Sequence, residues 1–256
     1  MSADMNQMSG RAKRLAARLT EWVWPARSIV SGQRGVGLGA AAPAEWAALS
    51  FIEGAQCDLC GLPQPIDLGP ATVCPACTAR PPRWNRARAA LIYDDASRRP
   101  VLDLKRAGRR DGLSIMGAWM MRAGRPLLSE ADLITPVPLH YTRLAMRGHN
   151  QSGWLAAAVS RASGVPAKMD VLRRIRATPS QAGLPARARR RNVAGAFDVR
   201  GARVKAVSGQ RIVLVDDVLT TGATPTACTR ALYKAGAANV DVLVLARVVR
   251  AQDVTI

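Results

Sequence analysis

The chain has 256 residues, enough for one α/β domain with a small appendage; its hydrophobic content of 48% rests on Ala, Val and Leu, with 4% aromatic residues, which suits helices packed on a parallel sheet. Its formal charge of +19, from 37 Lys and Arg against 18 acids, favours phosphate-bearing partners such as a small ligand, a nucleic acid or an anionic membrane, and a merely solvated basic surface reads the same way. No apolar run reaches the roughly 18 residues of a membrane span and the N-terminus shows no signal-peptide pattern, so the cytoplasm is the expected compartment.

Residues 1–44 are rich in Gly, Ala and Arg without sustained periodicity and read as a basic tail. Within it, Arg11 to Trp24 combines cations with Leu15, Leu19, Trp22, Val23 and Trp24. That pattern fits an amphipathic helix lying peripherally on the inner face of a membrane, or equally a plain tail or a helix docked on its own domain. Segment 45–82 opens with a short helix, Glu45 to Ile52, carries four cysteines and closes at the Arg80-Pro81-Pro82 breaker. The main domain, 83–250, alternates: strand Ala89 to Tyr93, helices Pro100 to Lys105 and Leu113 to Met121, strand Leu133 to Val137 and helix Asn150 to Ala162. Strands Met169 to Leu172 and Ile212 to Val215, helix Pro225 to Ala235 and strand Val240 to Ala246 follow, before a short C-terminal tail at 251–256. Alternation of this kind predicts an α/β fold with a parallel sheet flanked by helices.

The four cysteines form Cys57-x-x-Cys60 and Cys74-x-x-Cys77, and each knuckle sets two thiolates on one side of a tight loop. Two knuckles complete a closed tetrahedral shell, so structural Zn2+ is expected, with two disulfides as the competing reading in an oxidising compartment. Cys228, inside the predicted helix 225–235, reads as a small core residue.

Arg211 to Thr224 runs Arg-Ile-Val-Leu-Val-Asp-Asp-Val-Leu-Thr-Thr-Gly-Ala-Thr. The apolar run is a strand buried on both faces, which delivers Asp216 and Asp217 to the sheet edge where open α/β folds bind ligands. Two carboxylates there can accept hydrogen bonds from a vicinal diol such as ribose offers. Thr220, Thr221, Gly222, Ala223 and Thr224 then supply hydroxyls and free N–H groups at a helix start, which suits a phosphate. An ordinary strand-to-helix turn is the alternative. The stretch lacks P-loop spacing, and no Gly-x-Gly-x-x-Gly follows a strand elsewhere.

Two further segments carry candidate ligand residues. After strand Leu133 to Val137 come Pro138, Leu139, His140, Arg143 and Arg147, cations and polar groups suited to a diphosphate, or else to a solvated loop capped at Asn150. From Arg173 to Phe197 the chain reads as a long polar loop holding Arg174, Arg176, Thr178, Gln181, Arg187, Arg189, Arg190, Arg191 and Asn192. A lid over a diphosphate, a groove for single-stranded nucleic acid and a plain disordered loop all fit it.

Taken together, the two Cys-x-x-Cys pairs, Pro136-Val-Pro-Leu-His140, Arg147-Gly-His-Asn-Gln151, Arg174-x-Arg176-x-Thr178-x-x-Gln181, Arg189-x-x-Asn192 and the Asp216-Asp217 stretch resemble the ComF family over about residues 45 to 250. One departure is His149, where that family usually carries Phe. The resemblance implies a type I phosphoribosyltransferase domain behind a zinc ribbon, in a protein of DNA uptake during competence. It further implies binding of 5-phosphoribosyl 1-diphosphate (PRPP) with Mg2+, Asp216, Asp217, Arg174 and Arg176 in catalytic roles, and transfer of phosphoribosyl to an unknown acceptor. A non-enzymatic module for single-stranded DNA, a competence helicase or DNA-processing proteins is the other expectation.

Overall fold

The structure, a computed structural model, describes residues 28–31, 42–67, 69, 71–106, 110, 112–178 and 185–250. The helix expected at Arg11 to Trp24, the tail 251–256 and Gln181 lie outside the described residues. In chain order the elements are α1 (Pro43–Ala47), α2 (Pro75–Ala79), β1 (Ala87–Ile92), α3 (Asp95–Arg106), α4 (Leu113–Ala123), α5 (Arg125–Leu128), β2 (Leu133–Pro136), α6 (Tyr141–Arg147) and α7 (Gln151–Ser163). Then come β3 (Leu172–Arg174), α8 (Ala186–Val193), β4 (Phe197–Val199), a 3-10 turn over Gly201–Ala206, β5 (Arg211–Leu219), α9 (Ala223–Lys234) and β6 (Asn239–Arg247).

Four strands form a wholly parallel sheet in the order β1-β6-β5-β2, with Leu214 opposite Val242 and Thr135. Both faces are covered, so the middles of the strands, Ile212 to Val215 in β5 and Val242 to Ala246 in β6, are wholly apolar. Ile212, Leu214, Val242 and Val244 face α9 residues Cys228 and Leu232. Val213, Val215, Leu243 and Leu245 face α3, α4 and α7, through Leu104, Met120 and Leu155. Ile29 and Val30, from the segment read as tail, are buried in this second layer. No helix among the described residues is long and apolar enough to cross a membrane.

Local chemistry moves several boundaries. The helix expected over Glu45 to Ile52 stops at Ala47, because Phe51 bridges Leu91 and the Ile52 N–H bonds Ala90 O, pulling the chain into extended form beside β1. Helix α3 starts at Asp95, before Pro100, since Asp94 and Ser97 exchange reciprocal caps of 2.9 Å at its start. The strand expected near Met169 to Leu172 is β3, which leaves the main sheet and pairs antiparallel with β4. The long polar stretch after it holds a helix, α8, whose Val193 is buried while Arg187, Arg190 and Arg191 are exposed. Polarity spoke against a core element there, and among the helix's described side chains Val193 is the buried one.

Candidate anion site and thiolate cluster

Strand β5 continues through the acid pair to Leu219, so Asp216 and Asp217 sit within its last residues. Two side chains from the first turn of α7 hold them. Ser152 Oγ donates to Asp216 Oδ1 and Gln151 Nε2 donates to Asp217 Oδ2, each at 2.9 Å. Asn150 makes this possible: its Oδ1 caps α7 at Ser152 N, 3.2 Å, and its amide donates to Val137 O, 3.1 Å, tying the helix start to the end of β2.

Beyond the acids, Thr220 to Gly222 turn the chain into α9. Gly222 has φ 71°, and a Cβ there would sit 2.6 Å from Trp84 Cη2, so only glycine fits. The Thr221 hydroxyl oxygen is buried and has no hydrogen-bond partner among the described residues. Such a group costs about 1–3 kcal/mol unless something satisfies it. From the other side, Arg189 of α8 donates to Thr220 Oγ1 at 2.9 Å, which brings the basic helix onto the turn.

Two guanidinium groups meet at Thr178. Arg143 donates to its carbonyl at 2.8 Å, and Arg174 donates to its hydroxyl while lying over the Phe197 ring at 5.2 Å. Burial, followed by the nearby Arg143 charge, pushes the Arg174 guanidinium below its ordinary pKa, and the Asp216 charge acts against that shift. Arg176 turns instead to the end of α8, donating to Ala194 O at 2.7 Å. His140 is buried and caps α6 at Thr142 N, and Pro138 and Leu139 lie in the irregular segment that leads to it from β2. Arg147 is exposed, as are Arg187 and Arg190 on α8.

The four cysteines cluster, with their Sγ atoms all within 4.8 Å of one another and all buried. They fit tetrahedral zinc: bonds of about 2.3 Å imply an S–S edge near 3.8 Å, and Cys60 and Cys74 Sγ are 3.8 Å apart. N–H donors point at two sulfurs, Cys74 N at Cys57 Sγ (3.3 Å) and Arg247 Nη2 at Cys60 Sγ (3.4 Å), as an anionic thiolate set needs. Hydrogen bonding from Cys60 draws the Cys57 thiol down to about 4, whereas burial pushes Cys77 up to about 12. Cys228 is fully buried in α9, and desolvation raises its thiol well above the ordinary value.

A model described as the phosphoribosyl transferase domain matches residues 121–253, the stretch from the end of α4 past β6. The DNA utilization protein YhgH of Salmonella typhi is 33% identical over 199 residues, covering 75% of this chain and 83% of that protein. Competence protein F of Haemophilus influenzae is 36% identical over 116 residues, which is 45% of this chain and 50% of that one.

The chain belongs to the ComF family of phosphoribosyltransferase-domain proteins.

A solved structure described as the allosteric regulatory enzyme of purine biosynthesis aligns over 56% of this chain and 30% of its own length, with 24% identity and a TM-score of 0.38. Within this ComF chain, folding brings together Asp216, Asp217, the Thr220–Thr224 turn and Arg189, with Arg174 and Arg143 joined through Thr178. It does not bring Arg176 to the acid pair by any hydrogen bond, since that side chain is spent on α8. Sequence reasoning passed over Ser152, Trp84 and Arg247. Ser152 had a signal, its place two residues after the capping Asn150, while the other two depend on contacts between distant segments.

Proposed function

We propose that this ComF-family protein binds PRPP and transfers its phosphoribosyl group to an acceptor. The buried Thr221 hydroxyl, without a partner among the described residues, carries the reading: it lies in a glycine turn at a helix start, four residues after the second of two acids oriented by Gln151 and Ser152. The turn would take the 5-phosphate, Asp216 and Asp217 the ribose diol. Arg143 and Arg174 would offset the charge that grows on the leaving diphosphate. Mg2+ would enter with the diphosphate and neutralise part of its charge. The chemistry is displacement of diphosphate at C1, so positioning would supply most of the acceleration. Calorimetric titration of PRPP with Mg2+ into wild type and into the Asp216→Asn, Asp217→Asn double variant tests it. Binding by wild type alone is expected, and no binding by wild type overturns the reading.

A second reading has its own support. A cleft of about 1240 Å3 runs between the cysteine segment, α8 and α9; Arg80, Arg83, Arg190, Arg230 and Lys234 line it, and Asp198 is the lone carboxylate among its lining residues. Asp198 is itself paired with Arg173 at 2.9 Å. A phosphodiester strand fits that charge, and the relatives' names, DNA utilization and competence, agree. Fluorescence anisotropy on a single-stranded oligonucleotide should show weaker binding and a flatter salt dependence for Arg230→Ala with Lys234→Ala. Unchanged binding by that variant removes the cleft as a DNA path.

A further inference from the structure

Trp84 ties the cysteine segment to the anion turn. Trp84 is buried, and its Nε1 donates to the carbonyl of Leu59 at 2.6 Å. Leu59 lies inside the first knuckle, between Cys57 and Cys60, and packs on the thiolate cluster. The far edge of the same indole closes on Gly222, Cη2 standing where a Cβ would need to be, and the ring shares a core cluster with Leu219 and Ala223, which flank the turn. Other ties keep the two parts in register: Arg88 pairs with Asp58 at 2.5 Å and donates to its carbonyl at 3.0 Å, and Arg247 at the end of β6 reaches Cys60.

Each link has a physical consequence. The Leu59 carbonyl sits between two ligands, so closing the shell on a metal adds to the hydrogen bonds that already shape the knuckle, Asp58 N to Thr72 O at 2.8 Å and Gly61 N to Cys57 O at 2.7 Å, and fixes the carbonyl further. The indole N–H, once buried, needs that carbonyl. The turn in turn needs the indole: Gly222 holds a left-handed conformation with its backbone pressed on an aromatic edge, and losing that wall frees a segment whose N–H groups must point inward together to hold an anion.

We propose that Trp84 is the positioning residue of the phosphate turn, and that through Leu59 it makes metal occupancy of the thiolate cluster and anion binding at the turn mutually dependent. This rests on the reading of the turn as an anion site. Coupling of this sort is reciprocal, so the factor by which Zn2+ strengthens anion binding equals the factor by which the anion strengthens Zn2+ binding.

The test uses the full-length, zinc-loaded protein with ribose 5-phosphate as the probe. Calorimetry gives its affinity, and equilibrium competition with a chromophoric chelator gives Zn2+ affinity with and without it. In wild type, ribose 5-phosphate should bind and should raise Zn2+ affinity severalfold. In Trp84→Leu its affinity should fall by about tenfold, and the effect on Zn2+ should vanish. A purely structural tryptophan would lower the melting temperature and leave that cross-effect in place. Should the Leu variant not fold, Trp84→Phe keeps an aromatic ring in the core but lacks both the far ring edge that meets Gly222 and the N–H, so it should weaken probe binding and lose the cross-effect. A Trp84 variant that keeps both affinity and cross-effect overturns the coupling alone. Failure of zinc-loaded wild type to bind ribose 5-phosphate removes the anion site, and the coupling with it.

Discussion

Ser152 Oγ donates to Asp216 Oδ1 at 2.9 Å, so the first turn of one helix orients an acid carried by the central strand. Its neighbour Gln151 does the same for Asp217. Loss of either donor removes a bond worth about 1–2 kcal/mol from the acid's support, and for Asp216 the bond from the Asp217 N–H to its Oδ1 at 2.9 Å remains. Ser152→Ala and Gln151→Leu should therefore each weaken PRPP binding by about 5- to 30-fold, while circular dichroism at 25 °C stays that of wild type. An unchanged calorimetric Kd for both would mean the acids need no support from α7.

Thr221→Val should move stability and binding in opposite directions. The hydroxyl oxygen is buried without a partner among the described residues, so replacing it by a methyl of similar shape relieves about 1 kcal/mol and should raise the melting temperature by about 2–4 °C. A phosphate bonded to that hydroxyl would lose a charge-assisted contact, and affinity for ribose 5-phosphate should drop about tenfold. A stabilised variant with full affinity would place the phosphate elsewhere.

What could be read from the sequence was what is contiguous. Ile212 to Val215, the acids and Thr220 to Gly222 form one stretch, and the strand-turn-helix follows from it alone. The cysteine pairs are legible for the same reason, since each knuckle is a local turn. Helix α8 was not, because Ala-Arg-Ala-Arg-Arg-Arg-Asn-Val offers no apolar period and its buried anchor is Val193. Trp84 was invisible as a partner of Gly222, because nothing local to either residue encodes the contact. His149, the departure from the family pattern, proves sterically ordinary: its ring stacks on Trp154 at 4.2 Å and 6°, where a Phe ring would also lie. It adds contacts that Phe lacks, with Nδ1 2.7 Å from Arg147 O and Nε2 3.0 Å from Leu104 O.

Asp94 gives a pH-dependent test of the start of α3. Burial alone would raise its carboxyl, yet bonds from the Ser97 N–H and the Ser50 and Ser97 hydroxyls together hold it below the ordinary value. A depressed folded-state pKa means the stabilisation is fully present above the unfolded value, about 3.9, and fades as pH falls through the folded one. Asp94→Ala should cost about 1 kcal/mol at pH 7. Melting curves of the two proteins should draw together as pH falls below the ordinary carboxylate range and through the lowered folded-state pKa, and a difference that persists once the carboxyl is protonated would show that the cost comes from packing and not from the ionised cap.

Arg247 tests whether the thiolate cluster is a charged metal centre. A zinc bound by four thiolates carries net negative charge, and Arg247 Nη2 stands 3.4 Å from Cys60 Sγ in a buried setting. Partners of this kind typically account for 10- to 100-fold in metal affinity. Arg247→Met keeps the apolar stem at the end of β6 and removes only the cation and its N–H groups. Elemental analysis should find one zinc per chain in wild type, and chelator competition should show Zn2+ affinity in the variant reduced by about 10- to 100-fold, with Cys60→Ser weaker still. If Arg247→Met binds Zn2+ as tightly as wild type, the charge of the cluster is balanced by its backbone N–H donors alone, beginning with Cys74 N to Cys57 Sγ. If wild type binds none, the four sulfurs are a thiol core, and chelators should leave its melting temperature untouched.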